Sequence, residues 1–138
     1  MGSTPELDDR DYVMLADFRY ELRRFLAFSE REAGACGLTP QQHQALLAIR
    51  GAPAGSVTIG YLAQRLLLKP HSASGLVDRL EVLGLLQRAP AAEDRRQAIL
   101  RLTPRADELL ARLSCVHRTE LARMRPVLAP LLEALAAT

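Results

Sequence analysis

Residues 58–102 decide the reading of this chain. They run TIGYLAQRL (58–66), LLKPHSASGLVDRLEVLG (67–84) and LLQRAPAAEDRRQAILRL (85–102). In the first segment Thr58 is placed to cap a short helix whose core residues are Ile59, Leu62, Ala63 and Leu66. Lys69 precedes Pro70 and is biased away from helical geometry, so the chain turns there and Pro70 starts a second helix. Gly84 terminates that helix. Two apolar runs, Leu86–Ala89 and Ala98–Leu102, then pair as a hairpin across the polar stretch 90–97. A short helix, a tight break, a second helix and a hairpin are the parts of a helix-turn-helix with a β wing. In that architecture the second helix enters a DNA major groove and the wing touches the neighbouring backbone or minor groove.

The second helix has two unlike faces. On a 3.6-residue wheel Ala73, Leu76, Val77, Leu80 and Leu83 fall on one side. His71, Gly75, Asp78 and Val82 fall opposite, flanked by Ser74 and Arg79. A face that is small and polar for two turns lets a helix come close to base edges. The DNA-facing candidates are therefore Pro70, His71, Ser72, Ser74, Gly75, Asp78 and Arg79, with Thr58 and Lys69 as candidates for the DNA backbone. At the wing tip stand Asp94, Arg95 and Arg96. Residues two apart on an extended strand point the same way. Asp94 can therefore hold the Arg96 guanidinium in one orientation while Arg95 points elsewhere, toward phosphate. An arginine suits a narrow, negative minor groove.

Charge supports this placement. The net charge of the 138 residues is only +2, but it is unevenly spread. Residues 1–35 carry five arginines against eight acids, whereas residues 56–105 carry eight basic residues against four acids. The positive charge is concentrated in the segment expected to meet a polyanion.

Outside that segment the reading is helical. Leu15, Phe18, Leu22, Phe25, Leu26 and Ser29 recur at steps of three and four, which predicts a long amphipathic helix from about Asp11 to Ala33, after a loose arm over residues 1–10. Thr39, Pro40 and Gln42 predict a capped helix with Ala45, Leu46 and Ile49 buried. Thr103 and Pro104 open a last long helix, which Pro126 is expected to break or kink before a strongly apolar end segment. The first and last helices carry more apolar surface than one copy covers, so a homodimer is expected.

The apolar content of 49 % and charged content of 25 % argue for a folded globular chain rather than a disordered one. Its length suits a single domain over 1–138. No apolar run approaches the roughly 20 residues of a membrane span, and the acidic N-terminus lacks the apolar core of a secretory signal. The cytoplasm, and no membrane partner, are the expectation. Cys36 and Cys115 are remote from each other and form no C-x-x-C pair; Cys115 and His117 are too sparse for a metal site, and His43 and His71 have no partner at ligand spacing. Neither a metal nor a cofactor is expected. The hydrolase, metalloprotease and phosphate-loop motifs are absent, which argues against an enzyme.

The order of these motifs resembles the MarR family of winged helix-turn-helix transcriptional regulators. LTPQQ at 38–42, VDRLEVLGL at 77–85, DRR at 94–96 and LTP at 102–104 carry the resemblance. It implies a mainly α fold with a small β-hairpin wing, a DNA-binding lobe over 56–103, and dimerisation helices over 11–35 and 104–138. It implies that the helix from Pro70 enters the major groove with His71, Ser72, Ser74 and Gly75 in its first turns, and that Arg96 sits at the wing tip with Asp94 beside it. The function it implies is that of a dimeric repressor on a pseudo-palindromic double-stranded operator, released by a small anionic or phenolic effector. Two departures stand out: Gly75 occupies a position that often holds a larger, basic residue, and Ala106 replaces a usual glycine. A winged-helix module for protein partners, or a redox regulator using Cys36 or Cys115, is the alternative.

Overall fold

The structure is a computed structural model and describes residue 2, residues 5–91 and residues 97–136. Seven elements follow in order: α1 (Asp9–Ala35), α2 (Pro40–Gly51), α3 (Ile59–Leu66), α4 (Pro70–Val82), β1 (Leu86–Pro90), β2 (Ala98–Leu102) and α5 (Pro104–Ala136). The fold is mainly α with a two-stranded antiparallel hairpin, as the sequence implies.

Local chemistry sets most element ends. The Thr39 hydroxyl accepts the Gln42 N–H at 3.1 Å while the Gln42 side chain accepts the Thr39 N–H at 3.0 Å, a complete capping box for α2. The same device starts α1 earlier than its apolar stripe suggests. Asp8 accepts the N–H groups of Arg10 and Asp11 at 2.8 and 3.1 Å, and Asp11 accepts that of Asp8 at 2.9 Å. Residues 9 and 10 are therefore helical, not part of a loose arm. Beyond the end of α1, Gly37 adopts φ +79° and Leu38 donates back to the Ala33 carbonyl at 2.9 Å.

The break inside the helix-turn-helix lies slightly before the expected place. Lys69 is extended (φ −69°, ψ 148°), as a residue before proline should be. The reversal itself, however, is made by Leu67 in left-handed geometry (φ 55°, ψ 40°), with Leu68 donating to the Ala63 carbonyl at 2.9 Å. A branched residue in that region costs on the order of 1 kcal/mol. The turn leaves Leu67 92 % exposed while Leu66 and Leu68 pack against the core.

One apolar core unites α2, α3, α4, the hairpin and the first turns of α5. It includes Leu46, Leu62, Leu76, Val77, Leu80, Leu86, Leu100, Ala106, Leu110 and Leu113. Burying each large side chain contributes about 1.5–3 kcal/mol. Ala106 is wholly buried in it, a place that suits a methyl group. Leu83, expected on the buried side of α4, instead caps its C-terminus and is exposed. The helix stops at Val82, so its face no longer turns inward there.

The hairpin pairs Leu86 with Leu102 through to Pro90 with Ala98. Pro90 sits at the strand's end, where its missing donor costs least. The Leu100 N–H donates to the Val57 carbonyl at 2.8 Å, docking the wing to the segment before α3. At the wing base the Thr103 hydroxyl donates to the Gly84 carbonyl at 2.8 Å and its backbone N–H to the Leu85 carbonyl at 3.2 Å. Thr103 also accepts the Ala106 N–H at 3.3 Å, so one residue starts α5 and ties it to the end of α4.

α5 is not broken at Pro126. It continues as one helix through both Pro126 and Pro130 to Ala136. Each proline removes one helical N–H and crowds one carbonyl, but its fixed φ is itself helical, so the backbone path survives.

α1, α2 and α5 meet at two histidines that the sequence reading left unpaired. His117 Nδ1 lies 2.6 Å from the Leu113 carbonyl and Nε2 lies 2.7 Å from the Ser29 hydroxyl. A carbonyl only accepts, so Nδ1 carries a proton and donates it there. The His43 ring stands 4.9 Å from that of His117, and its Nδ1 is buried with no hydrogen-bond partner. Burial, and then the charge of neighbouring His117, hold the His43 pKa below the ordinary 6.5. The unfolded chain therefore takes up a proton at His43 more readily than the folded one. The contribution of this site to stability is fully present above about pH 6.5 and is lost as pH falls through the depressed folded value. Melting curves between about pH 5 and pH 8 should show this acid-side loss. His43→Leu should flatten it, and an unchanged slope in that variant would exclude His43 as its source.

Candidate nucleic-acid interface

The core fixes which face of α4 is presented. With Ala73, Leu76, Val77 and Leu80 buried, His71, Ser72, Asp78 and Arg79 are exposed, and Ser74 and Gly75 are half-buried. Pro70 and Lys69 are exposed at the helix start. Lys69 provides no side-chain cap, which leaves the first N–H groups of α4 to other acceptors. A free helix N-terminus with serines and a lysine beside it favours an anion. Thr58 is half-buried, and its hydroxyl oxygen accepts the Tyr61 N–H at 3.1 Å as the cap of α3. Its O–H hydrogen remains available to donate outward.

Two of the expected groups behave differently in three dimensions. Asp78 does not stand alone on the exposed face. It is hydrogen-bonded to the Arg88 guanidinium of β1, and Arg88 also reaches Glu81 at 3.6 Å. The α4 carboxylates at positions 78 and 81 are thus drawn toward the wing and their charge is offset there. Arg88 is a positioning residue that the sequence reading passed over. Its signal was two acids three apart on a helix, followed by a basic residue in the next strand. Arg105 adds a second tie, donating to the Leu83 carbonyl at 3.3 Å at the C-terminal end of α4.

Arg79 bends back along its own helix. A Cβ placed on Gly75 would lie 3.6 Å from Arg79 Nη1 and 4.0 Å from Nη2. The guanidinium therefore rests over the glycine one turn earlier.

Asp94, Arg95 and Arg96 lie outside the described residues. The arms that carry them stay joined as far as the Ala91 N–H, which donates to the Gln97 carbonyl at 3.0 Å. Cys36 is half-buried just after α1, and Cys115 is exposed on α5. Among the described residues no group of three metal-binding side chains comes together, and no helix is long and apolar enough to cross a membrane.

Residues 37–97 match the sequence model of the MarR family. No curated protein matches the chain. Among solved structures, AbsC, a MarR family transcriptional regulator from Streptomyces coelicolor, is similar with a TM-score of 0.70 and 19 % identity, over 98 % of this chain and 100 % of that one. A mutant of MepR from Staphylococcus aureus, solved bound to an oligodeoxyribonucleotide, has a TM-score of 0.68 and 19 % identity over 94 % of this chain and 99 % of that one. BldR, a transcriptional regulator from Sulfolobus solfataricus, has a TM-score of 0.67 and 22 % identity over 97 % and 100 % of the two chains. At these identities the likeness speaks for the fold. The matched segment spans the second helix, the helix-turn-helix and most of the wing, less than half of the chain, so that in this segment the sequence, and over nearly its whole length the fold, are similar to those of MarR family transcriptional regulators.

Proposed function

We propose that this protein is a dimeric, sequence-specific DNA-binding regulator, working in the cytoplasm as a repressor that a small anionic or phenolic effector releases from a pseudo-palindromic operator. The observation that carries the reading is the exposed face of α4: small and polar over Pro70–Gly75, basic at Lys69 and Arg79, and flanked by a docked wing. Pro70, His71, Ser72, Ser74, Gly75 and Arg79 would face the major groove, Thr58 and Lys69 the backbone, and the wing tip the minor groove. Asp78 would act through Arg88 rather than on a base. That the MepR mutant was solved on an oligodeoxyribonucleotide supports DNA as the partner of this fold.

Residues 1–138 form one unit in this reading, with 56–103 as the DNA lobe and 11–35 and 104–138 as dimerisation helices. Tyr12, Val13, Leu15, Phe18, Leu22 and Leu26 of α1 are exposed, as are Leu121, Val127, Leu132 and Leu135 of α5. Apolar side chains spread along two helices at the chain ends exceed what a monomer ordinarily shows to water, and a second copy would cover them.

Sedimentation should find a dimer, and selected duplexes should carry half-sites roughly 34 Å apart, one helical turn. Log affinity should fall linearly with log salt as phosphate contacts release counterions. Salt-independent association, or indifference to every duplex, would favour a protein-binding module instead.

Arg96→Ala should weaken operator binding by about 1–3 kcal/mol without altering the dimer. Asp94→Ala should weaken it by less, although it removes a negative charge facing DNA. A double-mutant cycle measures the coupling between the two. Tighter binding by Asp94→Ala, or zero coupling, would show that the acid is merely solvated and does not orient the arginine.

A further inference from the structure

We propose that Arg79, folded back over Gly75, is the residue that reads a guanine in each half-site, so that the missing side chain at position 75 is the seat of a base-reading guanidinium. The inference rests on the DNA-binding reading above and names the specificity determinant within it.

Three observations carry it. The first is placement. Helical side chains slant toward the N-terminus, so a group at the end of residue 79 covers the turn around residue 75. Here both terminal nitrogens of Arg79 lie within 4.0 Å of the point a Gly75 Cβ would occupy. This brings a cation from the third turn of α4 to the half that holds Ser72 and Ser74, the half that approaches base edges. A larger side chain at 75 would fill the space.

The second is availability. Arg79 has acidic neighbours on its own helix, Asp78 and Glu81, and both are engaged by Arg88 from β1. Among the described residues no ion pair involves Arg79, which is exposed. The wing strand thus keeps the helix acids from competing for this guanidinium.

The third is chemistry. A guanidinium offers five N–H donors in a fixed fork and no acceptor. Of the base edges in the major groove, guanine alone presents two adjacent acceptors, O6 and N7, that match the fork. A side chain already lying on the flat surface of a glycine has less conformational freedom to lose when it docks.

The test is selection of bound duplexes from a randomised pool by the full-length wild type, by Arg79→Ala, and by Gly75→Leu. The wild type should select guanine at one fixed position in each half-site. Arg79→Ala should bind the best wild-type duplex about tenfold to a hundredfold more weakly and lose its preference at that position alone. Gly75→Leu, which fills the seat while keeping the guanidinium, should lose the guanine preference at the same position. Retention of the full wild-type preference by Arg79→Ala would overturn the inference while leaving the DNA-binding reading intact. So would an even loss of affinity on all duplexes with a salt slope reduced by about one, the mark of a phosphate contact. Retention of guanine at that position by Gly75→Leu would overturn the placement over Gly75. A wild type that selects no duplex would overturn the DNA-binding reading, and this inference with it.

Discussion

Everything at the candidate interface depends on the burial of one stripe of α4. Ala73, Leu76, Val77 and Leu80 are nearly inaccessible to water, the last three packed in the same core as Leu46, Leu62, Leu86 and Leu100. A helix has only two faces, so committing these residues inward commits His71, Ser72, Gly75 and Arg79 outward. The interface needs no side chain to hold it in place beyond those that already hold the fold. The cost of rotating α4 by even one residue would be Leu76, Val77 and Leu80 brought toward water, each about 1.5–3 kcal/mol.

The wing is held by weaker and more local means. Three backbone or hydroxyl contacts fasten it: Leu100 to Val57, and Thr103 to Gly84 and to Leu85. Arg88 adds ion pairs to Asp78 and Glu81, with Asp78 largely exposed. Exposed pairs of this kind contribute about 0–1 kcal/mol, so their value lies in geometry rather than stability. They orient the hairpin against α4 and offset acidic charge on a helix that otherwise presents basic and neutral groups.

The terminal helices are joined to α2 through a polar knot. Ser29 of α1, His117 of α5 and His43 of α2 are stacked or hydrogen-bonded in succession, edged by Phe25 and Phe28. A buried nitrogen without a partner is uncommon, and at His43 it sits where three helices converge. Burial there disfavours the charged ring, which couples the packing of the terminal helices to protonation at His43.

The sequence by itself determined the elements and their order. Capping boxes, prolines at helix starts and the spacing of leucines are local codes, acting over three or four residues, and they placed α2, α3, α4 and both strands within a residue or so. They also identified the exposed face of α4, because helical periodicity alone assigns it. Where local rules failed, tertiary structure had decided. Pro126 reads as a break or a kink, and the packed helix resolves it against a break, α5 continuing through it. Asp78 reads as a DNA-facing residue of the exposed face, and a strand ten residues on supplies Arg88 to it, a partner no helical pattern names. His43 and His117 stand 74 positions apart in the chain, and no spacing rule links them. Side-chain partners drawn from distant elements are fixed by how the helices pack, and that information resides in the complementarity of whole surfaces rather than in any short stretch of residues.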